Sequence, residues 1–188
     1  MPRCTHVLIA ALASVALLVA CTWNSVEALG PDAHAAPREA IVVYGIVVDG
    51  TWGAPQLAVD LDRYDLKRQA GAGGCLRHDR TEAAVPAVRG TRRDFAFRVP
   101  PGHYAPSPFN PYPAQLGTQA FSAPAGKVVY VGTFVYSGHS RDASRLELRR
   151  DLEAARHRLA SSFPHLAAKL SLAASTTVTP ARLFLCAP

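Results

Sequence analysis

The residues that could do chemistry in this chain are a few histidines, their neighbouring acids and four cysteines. His78 directly precedes Asp79, and His103 follows a Pro-Pro-Gly turn. His139, Ser140 and Asp142 lie together in SGHSRDAS, the three residue types of a nucleophile, a base and an orienting acid. Residues this close in one turn rarely assemble a triad, whose members normally converge from separate segments. A hydrolase or metal-dependent enzyme would draw on His78, His103 or His139 with nearby acids. Neither G-x-S-x-G nor H-E-x-x-H occurs, and no cysteine and histidine have ligand spacing. Asp60 and Asp62 alternate with Leu57, Val59 and Leu61, so they share one face of a strand. A metal could use such a pair, but two solvated acids on an outward face are the simpler expectation. No catalytic residue, metal ligand or cofactor follows from these patterns.

The N-terminus carries a sharper signal. Arg3 is followed by an unbroken apolar run at residues 7–20 (VLIAALASVALLVA), short for a membrane span and suited to a signal-peptide core. It ends in Leu18-Val19-Ala20-Cys21, which resembles the bacterial lipoprotein signal, whose cysteine takes a diacylglycerol on its thiol. The resemblance implies removal of residues 1–20, acylation of Cys21 and a chain held on a membrane by fatty acids. Each buried methylene contributes about 0.8 kcal/mol, so two or three chains anchor durably. Thr22, rather than aspartate, follows the cysteine and leaves export to the outer membrane of a Gram-negative cell permitted.

Residues 21–39 then read as the lipidated cysteine and a flexible tether, which would hold the domain roughly 20–25 Å from the bilayer. His34 falls here as a solvated residue. With Cys4 lost and Cys21 acylated, Cys75 and Cys186 remain, and an oxidising envelope favours one disulfide between them. The long loop closed would contribute about 4–5 kcal/mol on a chain-entropy basis. A reactive thiol pair or a metal site is the alternative, though no C-x-x-C is present.

The elements that must position these groups are mostly strands. An apolar content of 49% supports a packed core in a chain of 188 residues. The net charge of +6 comes from scattered arginines, without basic runs interleaved with aromatics. That balance favours mild attraction to anionic surfaces and speaks against a nucleic-acid partner. Residues 41–48 (IVVYGIVV) form a β-branched run expected to be buried on both faces. Residues 67–90 read as a long loop with one short strand. Phe95, Phe97 and Val99 alternate with Ala96 and Arg98 until Pro100-Pro101-Gly102 ends the strand. Four prolines between Pro106 and Pro113 then force an edge or loop, where Phe109 and Tyr112 form a candidate partner-binding lip. A strand near Phe121, a Pro124-Ala125-Gly126 turn, a long strand over residues 128–136 and a short one at Leu146 and Leu148 follow. A helical segment spans 150–171, with Leu152, Ala155, Leu159 and Phe163 on its buried stripe and Arg150, Glu153, His157 and Arg158 toward water. A last strand at residues 181–186 would bring Cys186 toward Cys75.

The steps FAFRVPPGHY at residues 95–104 and AF…PAGKVVYVG at residues 120–132 resemble small envelope lipoproteins with a β-rich domain of unknown function. Those are similar to transthyretin-like and carboxypeptidase-regulatory-like sandwiches. The helix DLEAARHRLASSFP at residues 151–164 fits the same pattern, which covers roughly residues 94–170. The resemblance implies a mainly β, sandwich-like α+β domain over residues 40–188, and it transfers no catalytic residue. The expected function is a non-enzymatic binding or structural module of the bacterial cell envelope. Its partners would be the membrane, through the lipid, and an envelope protein or peptidoglycan. An envelope hydrolase and a small-ligand carrier are the alternatives.

Overall fold

The computed structural model describes residues 25–74, 77–110, 119–138 and 145–180. Cys21, Cys75, Cys186, Tyr112, His139, Ser140, Asp142 and the expected strand at 181–186 lie outside the described residues. The chain is mainly β, with two sheets, one curled as a half-barrel, and a short C-terminal helix.

The first sheet has seven strands. β1 (Ser25–Val26), β7 (Arg80–Pro86), β3 (Gln56–Asp65), β9 (Gly102–Pro106), β10 (Gln119–Ala123) and β14 (Ser175–Thr177) follow one another across it, and β4 (Ala70–Gly71) pairs with the end of β3. The second sheet runs β12 (Arg145–Arg149), β11 (Val128–Gly138), β2 (Ala40–Gly50) and β8 (Arg92–Val99), with β13 (Leu170–Leu172) beside β11. A minor hairpin joins β5 (Gly73–Gly74) to β6 (Arg77–His78).

The apolar run of β2 is explained by its position. It lies between β11, which it pairs in parallel, and β8, which it pairs antiparallel. One face contributes Val42, Tyr44, Ile46 and Val48 to the core between the sheets, with Leu57, Val59 and Leu61 of β3 and Phe95, Phe97 and Val99 of β8. Its other face gives Ile41 and Val43 to a second core under the helix α1 (Leu152–Ser162) and the turn α2 (Pro164–Ala167). Both faces are therefore dry. Tyr44 bridges the sheets, its hydroxyl donating to the Val59 carbonyl at 3.0 Å and lying 3.2 Å from Thr81 Oγ1. Burial pushes that phenol well above its ordinary pKa, so it stays a neutral donor. Asp151 caps α1 by accepting from the Ala154 amide at 3.0 Å.

Besides the helical segment expected over 150–171, which is instead α1, α2 and the strand β13 from Leu170, three expectations need correction. Residues 67–90 hold a regular seven-residue strand, β7, whose Thr81, Ala83 and Val85 are buried. Small residues and a charged outer face hid its alternation. Arg150 and Arg158 do not turn to water. Arg150 donates to the carbonyls of Val131 and Ala173 and lies over the Phe121 ring, and Arg158 reaches Asp94 and Thr133. Long side chains on a helix flank can fold back onto polar groups of a sheet.

The third correction concerns the tether. From Ser25 onward the segment is packed, not flexible. β1 pairs in parallel with β7, Ala28 bridges to Phe97, and the Leu29 amide donates to the Ala96 carbonyl at 2.7 Å. The strap thus crosses from the edge of one sheet to the edge of the other and covers ladder groups that an open edge would expose. Val26 packs on the inter-sheet core, and Leu29, Ala33 and Ala35 on the helical one. His34 is exposed but packs against His165 of α2, with ring centroids 4.2 Å apart and the rings tilted by 33°, and its carbonyl accepts from Arg98.

Candidate functional site

The most unusual chemistry lies on the outer face of the seven-stranded sheet, where β3 and β7 run side by side. Alternation puts Asp60 and Asp62 there, as expected, but neither is a freely solvated acid. Register sets Asp62 opposite Arg80 and Asp60 opposite Glu82. Arg80 Nε donates to Asp62 Oδ1 at 2.7 Å, and Asp62 is almost fully buried. Asp60 faces a like charge directly across the ladder, an arrangement that opposes sheet pairing.

What removes these acids from water is the loop at residues 107–110, which folds back across β3. The Ser107 amide donates to the Asp60 carbonyl at 2.9 Å. Asn110 grips the same residue twice, with Oδ1 accepting from the Asp60 amide at 2.6 Å and Nδ2 donating to its carbonyl at 2.8 Å. Ser107 and Asn110 are themselves buried. Asp60 Oδ1 is enclosed without a hydrogen-bond partner among the described residues. Burial pushes the Asp60 carboxyl up to about 6; Glu82 and Asp62 add to the rise and Arg80 opposes it.

The same loop presents Phe109, which is 54% exposed. Its ring lies 5.2 Å from the Arg80 guanidinium carbon, close enough for a cation–π contact. Arg80 is pinned by Asp62 and comes within 3.4 Å of Ser107 Oγ. An aromatic side chain is therefore held outward on a fixed polar mount. The candidate lip at Phe109 has a definite base, while Tyr112 falls outside the described residues. Arg80, Glu82, Ser107 and Asn110 were not legible as site residues. The one local signal was Asn110 before Pro111, a pair that favours turn initiation.

The other candidates do not converge on this place. Asp79 accepts from Arg63 Nη1 at 3.0 Å; His78 lies on β6, and its side chain is not among those described. His103 sits on β9, opposite Tyr64 and Ser122. Among the described residues, no group of three or more His, Cys, Asp or Glu gathers as a metal site. No described helix is long and apolar enough to cross a membrane.

A second polar group lies under the helix. Asp94, Gly45, Thr133 and Arg149 form one row across the second sheet. Arg158 Nε approaches Asp94 Oδ2 at 3.4 Å, and Arg158 Nη2 donates to Thr133 Oγ1 at 3.1 Å. A Cβ at Gly45 would stand 2.6 Å from Asp94 Oδ1 and 3.1 Å from Thr133 Oγ1, so a larger residue there would displace the Asp94 carboxylate that Arg158 approaches. Every group in this network is paired, and it joins the helix to the sheet.

No protein-family model, curated protein or solved structure matches the chain.

Proposed function

We propose that the protein is a lipid-anchored module of the bacterial cell envelope that works by binding rather than catalysis, through the surface around Phe109. The anchoring half of this reading rests on the signal-like residues 1–20 and on Cys21. The binding half is carried by one observation, the exposed Phe109 ring on its Arg80–Asp62 mount. Exposed aromatics on rigid supports make favourable contacts at little entropic cost, because the side chain is already ordered before a partner arrives. The loop clasp of Asn110 on Asp60 supplies that order. The occupant of the surface is a constituent of the envelope: membrane, protein or peptidoglycan.

Two measurements on the purified chain test the reading. Mass analysis of the mature N-terminus should find a diacylglyceryl-modified Cys21, and Cys21→Ala should abolish acylation and release the chain from the membrane fraction. Chromogenic ester, phosphoester and glycoside substrates should not be turned over. Turnover abolished by Asp60→Asn or Asp62→Asn would overturn the binding reading and establish a hydrolase.

A further inference from the structure

We propose that the occupant of the Phe109 surface is the lipid bilayer itself, so that the outer face of the seven-stranded sheet lies against the membrane that holds the chain. The inference rests on the reading that Cys21 carries the lipid.

The first support is the length of chain between the lipid and the fold. β1 begins at Ser25, so only residues 22–24 separate it from Cys21. Fully extended, four residue steps span at most about 14 Å. A domain attached so closely cannot stand clear of the headgroups, and one of its surfaces must meet them.

The second support is where that short lead enters. Register places Ser25 beside Arg80, and the Arg80 guanidinium carbon lies 5.2 Å from the Phe109 ring centre. One strand spacing, one arginine side chain and that step keep the ring within roughly 17 Å of Ser25. Among the described residues, the other exposed large apolar side chains are Val88 and Leu172. Val88 follows the far end of β7, roughly 20 Å along the strand from Arg80. Leu172 belongs to the second sheet. Of these three described side chains, Phe109 is the one that strand register ties to the lead from Cys21, through Ser25 and Arg80.

The third support is chemical. Aromatic rings settle at the headgroup level of a bilayer. Without Arg3 of residues 1–20 the formal charge is 19 − 14 = +5, which favours an anionic leaflet. Of the acids on this face, Asp62 is neutralised by Arg80, and one oxygen of Asp60 is enclosed. Glu82 is the exposed acid that remains beside them.

Photocrosslinking of the full chain in intact envelopes tests the orientation. Phe109→p-benzoylphenylalanine is compared with the same substitution at Val88, which is 63% exposed and serves as a control. After irradiation, intact-mass analysis reads phospholipid adducts, protein adducts and the acyl state of Cys21 together. The expected result is at least tenfold more phospholipid adduct at position 109 than at 88. A protein adduct at 109, equal lipid labelling at the two positions, or no adduct on an acylated chain would each overturn the inference alone. A chain without acyl groups at Cys21 would instead remove the lipid-anchor reading on which it rests.

Discussion

Replacing Asp60 by asparagine should stabilise the protein near neutral pH and leave it almost unchanged in mild acid. The carboxyl titrates at about 6 in the folded protein, against an ordinary value of about 3.9 in an unfolded chain. Two units correspond to an upper limit of about 3 kcal/mol, and partial exposure of the group reduces this to about 1–2 kcal/mol. The folded state holds the proton more tightly than the unfolded state. The contribution of Asp60 is therefore fully favourable below about pH 4 and is lost as pH rises through about 6. Above that pH the native chain must fold around a poorly solvated carboxylate facing Glu82. Asparagine keeps the shape and, like the protonated acid, offers a donor, but it carries no charge at any of these pH values. Urea unfolding of the native and Asp60→Asn chains, at intervals from pH 4 to pH 7.5, measures the effect as a difference, which cancels the other carboxylates. The variant should gain about 1–2 kcal/mol at pH 7.5, with the gain shrinking toward pH 4. Curves that run parallel over this range would refute the assignment of a raised pKa to Asp60.

Two further substitutions probe the mount and the helix dock. Asn110→Ala removes both hydrogen bonds to the Asp60 backbone and should cost about 2 kcal/mol in urea unfolding; limited proteolysis should cut residues 107–110 faster in the same variant. Arg158→Met leaves Asp94, whose side chain is 9% exposed, without its cation and should cost about 2–3 kcal/mol. Combining it with Asp94→Asn should cost at least about 1 kcal/mol less than the sum of the single changes, as a double-mutant cycle would show.

Strands with one dominant face were legible, and so was the strand with two. Leu57, Val59 and Leu61 point inward by period two, and β2 reads as an unbroken apolar run because sheet and helix cover opposite faces. The same alternation correctly paired Asp60 with Asp62 on the outward face. Nothing local indicated that this face would be roofed, because the roof comes from residues 107–110, far along the chain. The sequence shows no more than one short strand in residues 67–90, because the inward residues of β7 are only Thr81, Ala83 and Val85. The strap at residues 25–39 lacks periodicity for another reason: it crosses between two sheet edges and never follows one surface. Arg158 shows that helical spacing assigns a flank but does not decide whether a long side chain bends inward, and Arg150 lies before the Asp151 cap, off the helix.

The parallel pairing of β2 with β11 has a consequence for the order of events during folding. Ile41 waits for Val128, and Tyr44 for Gly132, so nearly half the chain must emerge before this ladder can close. Loop closure on that scale slows folding, whereas β8 can reach β2 much sooner. In the interval one edge of the most apolar strand is bare, a template for pairing with other chains. Nascent molecules should therefore remain extended and dependent on a holding chaperone until residues 128–138 are available. Truncations that stop before Val128 should aggregate through residues 40–50, whereas chains that include β11 should close the sheet and escape.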